Sequence, residues 1–338
     1  MLTGQNITIK GLSKSTTIGR IGYGLLSLTA KNDLDPVSES QAIEAIKSAI
    51  DGGSTYLNAG EFYGPPSDFD ANIKLLNRFF SVHPEYADKC FLCVKGAFDM
   101  KTYQPTCSKE GLKASVENIT RLLGGKKRLD MFSPARVDAT VPIEQVARDL
   151  KALVEEGLFD YVGMSECSAQ TIRKAHAICP ISLLEEEYSP FSLDVEKNGV
   201  LDACKELGIP IIAYSPISRG ILSGQWKQPT ELDEKDLRRT FDRFQPDNWD
   251  HNQALVNKFL SIAERKGVTA PQLCLAWILK QWEGFVPIPG SSRPHVVREN
   301  LKALDVVLTD EEAAEVRDAV QGVVGGRYNK FVEHTLAL

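Results

Sequence analysis

The sequence predicts a parallel (β/α)8 barrel, and three observations carry that expectation. Short apolar runs alternate with amphipathic helical stretches eight times along the 338 residues, the pattern of strand–helix units wound round one sheet. Residues of unusual chemistry stand just after the apolar runs, at the strand ends where such barrels hold their sites. The competing doubly wound fold fails on its fingerprint: Gly22-x-Gly24 has Ser27 where the third glycine belongs. A loop through Asn32-Asp33-Leu34-Asp35-Pro36 also stands where a phosphate-binding helix would have to open.

The elements follow in order. Residues 6–20 read as a polar hairpin, Ile7-Thr8-Ile9 and Thr16-Thr17-Ile18 about a turn at Gly11, placed to plug the barrel bottom. Arg20 to Leu28 is the first strand. Ser38 and Gln41 have capping-box spacing, Ile43, Ile46 and Ile50 share one helical face, and Gly52-Gly53 stops that helix. Tyr56 to Ala59 is the second strand, Asp70 to Val82 a helix, and Cys90 to Lys95 the third strand. Ser108 opens a helix with Leu112, Val116, Ile119 and Leu123 on its apolar face. Leu129 to Phe132 is the fourth strand, and Pro142 suits the first turn of the helix carrying Ile143, Val146, Leu150 and Leu153. Tyr161 to Met164 is the fifth strand, Ser168 caps the next helix, and Ile181 to Leu184 is the sixth strand. A helix from Val200 to Leu207 leads to the seventh strand, Ile209 to Tyr214. The long charged stretch from Ser215 to Asp250 fits a mobile lid and a solvated insertion about equally. Helices near Gln253–Lys266 and Ala270–Gln281 precede the eighth strand, Phe285 to Ile288. Pro294 opens the last barrel helix, and an acidic helix from Asp310 to Val320 and a tail close the chain.

Composition narrows the class. Hydrophobic content of 43% with 25% charged residues is that of a soluble globular protein with a large core, expected as one domain over residues 1–338. A net charge of −6 without a dense basic run argues against a nucleic-acid partner. No apolar stretch is long enough to span a membrane. The start, Met1-Leu2-Thr3-Gly4-Gln5-Asn6, shows no secretory pattern, so a cytoplasmic protein is expected, monomeric or weakly self-associating. Seven scattered cysteines read as reduced core thiols. Cys90 and Cys93 have CxxC spacing, but three positions apart on a strand they face opposite sides, so no metal site is expected.

Tyr56-Leu57-Asn58-Ala59-Gly60-Glu61-Phe62-Tyr63-Gly64 and Cys90-Phe91-Leu92-Cys93-Val94-Lys95-Gly96 are the informative stretches. Each runs out of an apolar strand, one into a tyrosine and one into a lysine. Taken singly, Tyr63 reads as a loop aromatic and Lys95 as a strand end in water. On neighbouring strands they would share one rim, where an ammonium beside a phenol lowers the phenol pKa and makes it a proton donor or acceptor near neutrality.

Those stretches, with Gly163-Met164-Ser165, Glu187-Tyr188-Ser189-Pro190-Phe191, Ala213 to Gly220 and Pro287 to Arg293, make the chain resemble an aldo-keto reductase over nearly its whole length. Asn58 to Gly64 together with Ala135-Arg136-Val137-Asp138 is most similar to the fungal pyridoxal reductase branch. The resemblance implies reduction of a carbonyl with NADPH in a (β/α)8 barrel, Tyr63 donating the proton with Lys95 beside it. It also implies two departures: the family aspartate falls on Asn58 and the family histidine on Ala135. Asn58 can hold Lys95 but cannot neutralise it, so Lys95 is expected to press harder on Tyr63. Ala135 is expected to open space for a bulky polar substrate, with Phe62 and Phe98, and also Phe241, Phe244 and Trp249, as pocket walls.

The cofactor contacts that the resemblance implies are Gly24 and Leu25; Ser165, Glu166 and Glu185 at the nicotinamide carboxamide; and Tyr214 on its ring. Ser215, Pro216, Ile217, Arg219, Gly220 and Leu222 would line the pyrophosphate with backbone N–H groups. Gly290, Ser291, Ser292 and Arg293 would take the adenosine phosphate, with Glu299 and Asn300 at the adenine. The expected substrate is a small aldehyde, with pyridoxal foremost. A broad aryl or aliphatic aldehyde reductase, and an NADPH-binding regulatory subunit with weak turnover, stay open beside it.

Overall fold

A computed structural model describes residues 6–30 and 37–329. The hairpin comes first, β1 (Asn6–Lys10) antiparallel to β2 (Ser15–Gly19). Its Ile9 and Ile18 are fully buried and pack with Tyr56, Phe91, Met131 and Leu183 inside the barrel, so the hairpin is the expected plug.

The first barrel strand is shorter than the sequence predicts. Only β3 (Tyr23–Gly24) pairs, and the one-turn helix α1 (Leu26–Thr29) follows at once. A helix therefore does open after the glycines, but at four residues it is far from a Rossmann helix; the predicted loop at 32–36 lies outside the described residues. Helix α2 (Glu39–Asp51) is capped by Ser38, whose side chain accepts from the Gln41 N–H. Then come β4 (Tyr56–Gly60), α3 (Ala71–Val82), β5 (Phe91–Gly96), a small hairpin of β6 (Phe98–Asp99) and β7 (Gln104–Pro105), and α4 (Lys109–Leu123). The alternation goes on through β8 (Met131–Pro134), α5 (Ile143–Glu155), β9 (Tyr161–Ser165), α6 (Ala169–His176), β10 (Ile181–Glu187), α7 (Val200–Leu207) and β11 (Ile211–Tyr214). After short 3-10 turns come α8 (Pro246–Lys266), α9 (Ala270–Gln281), β12 (Phe285–Pro287), α10 (Pro294–Leu301) and α11 (Asp310–Ala319).

The eight barrel strands are parallel, in the order β3-β4-β5-β8-β9-β10-β11-β12. The ring is closed by the Gly22 N–H donating to the Pro287 carbonyl (3.0 Å) and the Gly24 N–H to the Pro289 carbonyl (3.3 Å). Strand alternation sorts the side chains: Leu92 and Val94 face the helices, whereas Cys93 and Lys95 face the lumen. Cys90 and Cys93 fall in different clusters, as expected, and all seven cysteines are free and buried.

Two boundaries move for physical reasons. α8 starts at Pro246 rather than near Gln253, because proline fits the first helical turn. β10 runs on through Glu185-Glu186-Glu187, which polarity alone marks as a strand end; all three are buried. Among the described residues no helix is long and apolar enough to cross a membrane, and no group of His, Cys, Asp and Glu is arranged to hold a metal.

Candidate active site

Two clusters meet at the C-terminal rim. The first stands on β4 and β5. The Tyr63 ring lies over Gly60, where a Cβ would come within 2.6 Å of the ring, so glycine is needed there. Thr29 Oγ1 donates to the Tyr63 carbonyl (2.6 Å). Fully buried Asn72 accepts the Gly60 N–H (3.4 Å) and donates to the Leu25 carbonyl (3.1 Å) and Thr29 Oγ1 (2.9 Å). Ser115 and Asn118 on α4 both donate to Glu61, pinning the loop from a second helix. Lys95 Nζ reaches 5.2 Å from the Tyr63 ring centroid. Phe62 packs edge-on against Tyr63 (5.3 Å between centroids) and beside Phe98 (5.5 Å).

Lys95 has a partner that the sequence reading assigned elsewhere. Its ammonium forms an ion pair with Glu185, on the far side of the lumen, and donates to Asn58 Oδ1 (3.3 Å). Asn58 Nδ2 in turn donates to Glu185 Oε2 (2.7 Å), and all three residues are buried. The expectation of an uncompensated Lys95 is therefore wrong, and Glu185 faces the lysine rather than standing free for a carboxamide. The expected lowering of the Tyr63 pKa is also reversed. Burial raises the phenol most strongly, Lys95 draws it down, Glu185 pushes it up and Arg136 draws it down; the net direction is upward. For Lys95, burial works against the ammonium, but Glu185 and Tyr63 outweigh it and hold its pKa above the ordinary value.

The second cluster joins β9, β10 and β11 to the chain's return past α11. Glu166 is fully buried in a bidentate pair with Arg327 (3.0 Å for each oxygen) and accepts from the Tyr214 hydroxyl (2.6 Å). Burial would raise its pKa, but Arg327 and Tyr214 prevail and hold it low. The Tyr214 and Tyr328 hydroxyls lie 2.9 Å apart. Arg219 sits between the Phe241 and Tyr328 rings (4.3 and 4.2 Å) and pairs with Glu187 (3.0 Å). Arg243 donates to Ser192 Oγ (2.7 Å) and the Gly325 carbonyl (3.3 Å), while Asn252 exchanges hydrogen bonds with Val324 (3.0 Å each).

Several of the expected cofactor positions are already engaged within the protein. Glu166 and the Tyr214 hydroxyl are committed to this network. The Ser218 and Gly220 N–H groups donate to the Ser215 and Ile217 carbonyls (2.8 and 2.9 Å). Leu222, Pro216 and Leu25 are buried, and the Leu25 N–H is given to the Asn58 carbonyl (2.9 Å). Phe244 and Trp249 pack against each other in the core rather than walling a pocket.

Other expected positions keep unused capacity. Among the described residues, Ser165 Oγ and Asn300 Oδ1 are buried without a partner, as atoms awaiting a ligand would be. Gly290 lies so close to Gly24 that a Cβ would meet its carbonyl at 2.9 Å. Tyr23 donates to the Ser291 carbonyl (2.6 Å) and Gln41 to that of buried Ser292 (2.8 Å), shaping the turn before α10. Arg293 is exposed there and forms no ion pair among the described residues; Glu299 lies half-buried further along α10. Five non-glycine residues hold left-handed backbones around the rim: Ala97 (φ 54°), Glu166 (52°), Ser215 (49°), Ser218 (49°) and Arg219 (57°). Such strain gathers at ligand sites.

Ala135 is buried, its N–H given to the Gly96 carbonyl (3.0 Å). Beside it Arg136 donates to the Ala135 carbonyl (2.6 Å) and, among the described residues, forms no ion pair. Burial works against its charge, but Tyr214, Tyr328, Glu166 and Glu185 sustain it. Arg136, Asn72, Arg327 and Tyr328 were not singled out as site residues from sequence. The cation directly after Ala135 was the one signal available.

Comparison with known proteins agrees with this geometry. The aldo/keto reductase family model matches residues 20–321. The chain is 43% identical to the probable pyridoxal reductase 2 of Schizosaccharomyces pombe, covering 95% of this chain and 98% of that protein. It is 36% identical to the aldo-keto reductase yakc [NADP(+)] of the same yeast, over 92% of each. A glycerol dehydrogenase of Gluconobacter oxydans superposes with a TM-score of 0.80 at 22% identity, covering 94% of this chain and 96% of that one, a likeness of fold. With the family pattern matched across the barrel and relatives matched over nearly their full length, the chain belongs to the aldo/keto reductase family.

Proposed function

We propose that this oxidoreductase reduces an aldehyde to an alcohol with NADPH, and that pyridoxal is its substrate. The observation that carries the reading is a half-buried tyrosine, Tyr63, held beside the Lys95 ammonium and facing an aromatic pair. Its raised pKa keeps the hydroxyl protonated at neutral pH, the state a proton donor needs, while Lys95 and Arg136 ease loss of that proton. NADPH, when bound, would supply the hydride. The partnerless Ser165 Oγ and Asn300 Oδ1 fit its carboxamide and adenine, and exposed Arg293 at the start of α10 fits the extra phosphate. The relative named for NADP(+) supports that choice.

Pyridoxal is favoured by the relative that bears its name and by the small Ala135 next to Arg136. A ring with an acidic hydroxyl beside the aldehyde would fill that space and meet the cation. A broader aryl aldehyde reductase is the second reading, because Phe62 and Phe98 would accept any flat ring. The test is NADPH consumption with pyridoxal, benzaldehyde and a short aliphatic aldehyde, in the wild type and in Ala135→His. We expect the imidazole to crowd the pyridoxal ring and lower its kcat/KM on the order of 10²-fold, as a misplacement of about 1 Å does, while the aliphatic aldehyde holds or gains. Equal pyridoxal turnover by both proteins would remove the case for pyridoxal over aryl aldehydes in general.

A further inference from the structure

We infer that Glu185 is a positioning residue for proton transfer, its carboxylate reaching across the lumen to set the ionisation of Lys95 and Tyr63. The inference rests on the carbonyl-reducing reading above. A buried ammonium needs an anion, and Asn58, the neighbour Lys95 meets on the adjacent strand, offers only a dipole. β10 lies four strands round the ring from β4, so the contact spans the lumen. The two Glu185 oxygens divide the work: Oε1 meets Lys95 and Oε2 accepts from Asn58 Nδ2 (2.7 Å). Asn58 accepts from Lys95 through Oδ1 (3.3 Å), so one amide fixes both members of the pair.

The other groups in this field are accounted for. Tyr56 and Cys93 lie beneath the pair and burial keeps both protonated. Arg136 stays cationic on the rim side. The charge whose removal alters the donor is therefore that of Glu185, which raises both Tyr63 and Lys95.

Removing that charge lowers both pKa values. In Glu185→Gln the alkaline limb of kcat/KM, where Tyr63 loses its proton, should move down by about one to two pH units. Asn58→Asp/Glu185→Gln returns an anion to Lys95 from β4 and should bring the limb back to within roughly half a unit of wild type. A readout free of turnover is the near-ultraviolet tyrosinate absorbance, titrated for each protein against its Tyr63→Phe counterpart; it should move in the same way. If Glu185→Gln does not fold, the double variant decides alone, because it retains a paired ammonium. The inference is overturned if the Gln variant keeps the wild-type limb, with or without weaker NADPH binding, or if the double variant stays displaced. Absence of any aldehyde reduction by the wild type would sink the functional reading instead, and the tyrosinate titration would still judge Glu185.

Discussion

The two sides of the barrel mouth hold charge for different ends. On the β4–β5 side one ammonium and one amide, met by the Glu185 carboxylate reaching over from β10, stand beside a single phenol, and small changes there are expected to bear on one proton. On the β9–β11 side Arg219, Arg243 and Arg327 interlock with Glu166 and Glu187 and bind the returning segment down. Removal of a charge there unties a piece of structure. Chemistry and architecture are thus separated across one rim, and the expected consequences of substitution differ in kind.

The sharpest break in the comparison is Tyr63→Phe. The ring and its packing on Phe62 remain, and only the acid is lost. Aldehyde reduction should fall roughly 10²–10⁴-fold with little change in melting temperature. Near-normal rates in the pure variant would falsify the role of Tyr63.

Arg327→Met tests the opposite side. Glu166, with no exposed surface, would lose its bidentate partner. Breaking such a buried pair costs about 3–5 kcal/mol. Urea unfolding should show that loss. A loss below about 1 kcal/mol would mean that the return segment is held by its other ties, from Asn252, Arg243 and Tyr214, and by packing.

These two sites were unequally legible in the sequence. Tyr63 and Lys95 sit at the ends of strands whose apolar runs are local, so a period-two reading places them on neighbouring strands and one rim. The barrel order followed from the same alternation. The Lys95–Glu185 pair joins residues 90 apart, and Glu166–Arg327 residues 161 apart; no local pattern encodes such partners. Three successive glutamates after an apolar run were a usable hint, because that many buried carboxylates require cations. The tail around Arg327 was passed over because its residues are polar and turn-forming, the very features that mark loops.

Arg293→Ala probes the rim away from both clusters. Its guanidinium has no ion partner among the described residues, so its removal should leave stability unchanged. NADPH binding should weaken about ten- to a hundredfold more than NADH binding, the worth of a charge-assisted hydrogen bond of roughly 1.5–3 kcal/mol. Equal weakening of the two would make Arg293 a contact to what they share.

The smallest effect sharpens the contrast inside the β9–β11 cluster itself. Glu166 and Glu186 are buried neighbours with opposite shifts: Glu166 is held low by Arg327, whereas burial, reinforced by Glu166, drives Glu186 well up. Their signs in stability are therefore opposite. Glu166 stabilises the fold above its unfolded pKa, and that contribution is lost as pH falls through its depressed folded value. Glu186 keeps its proton in the fold but loses it when unfolded, so stability declines as pH rises above the unfolded value, by at most about 1.4 kcal/mol per pH unit. Glu186→Gln removes that decline and retains an oxygen to accept the Cys167 N–H, now 3.0 Å away. The new amide N–H groups must be buried too, which offsets part of the gain. Wild type and variant should therefore unfold at similar urea concentrations near pH 4, with the variant pulling ahead as pH rises to 7. A gap that stays constant over this range would show that Glu186 is ionised in the fold, and that the cationic cluster serves three buried carboxylates on this side rather than two.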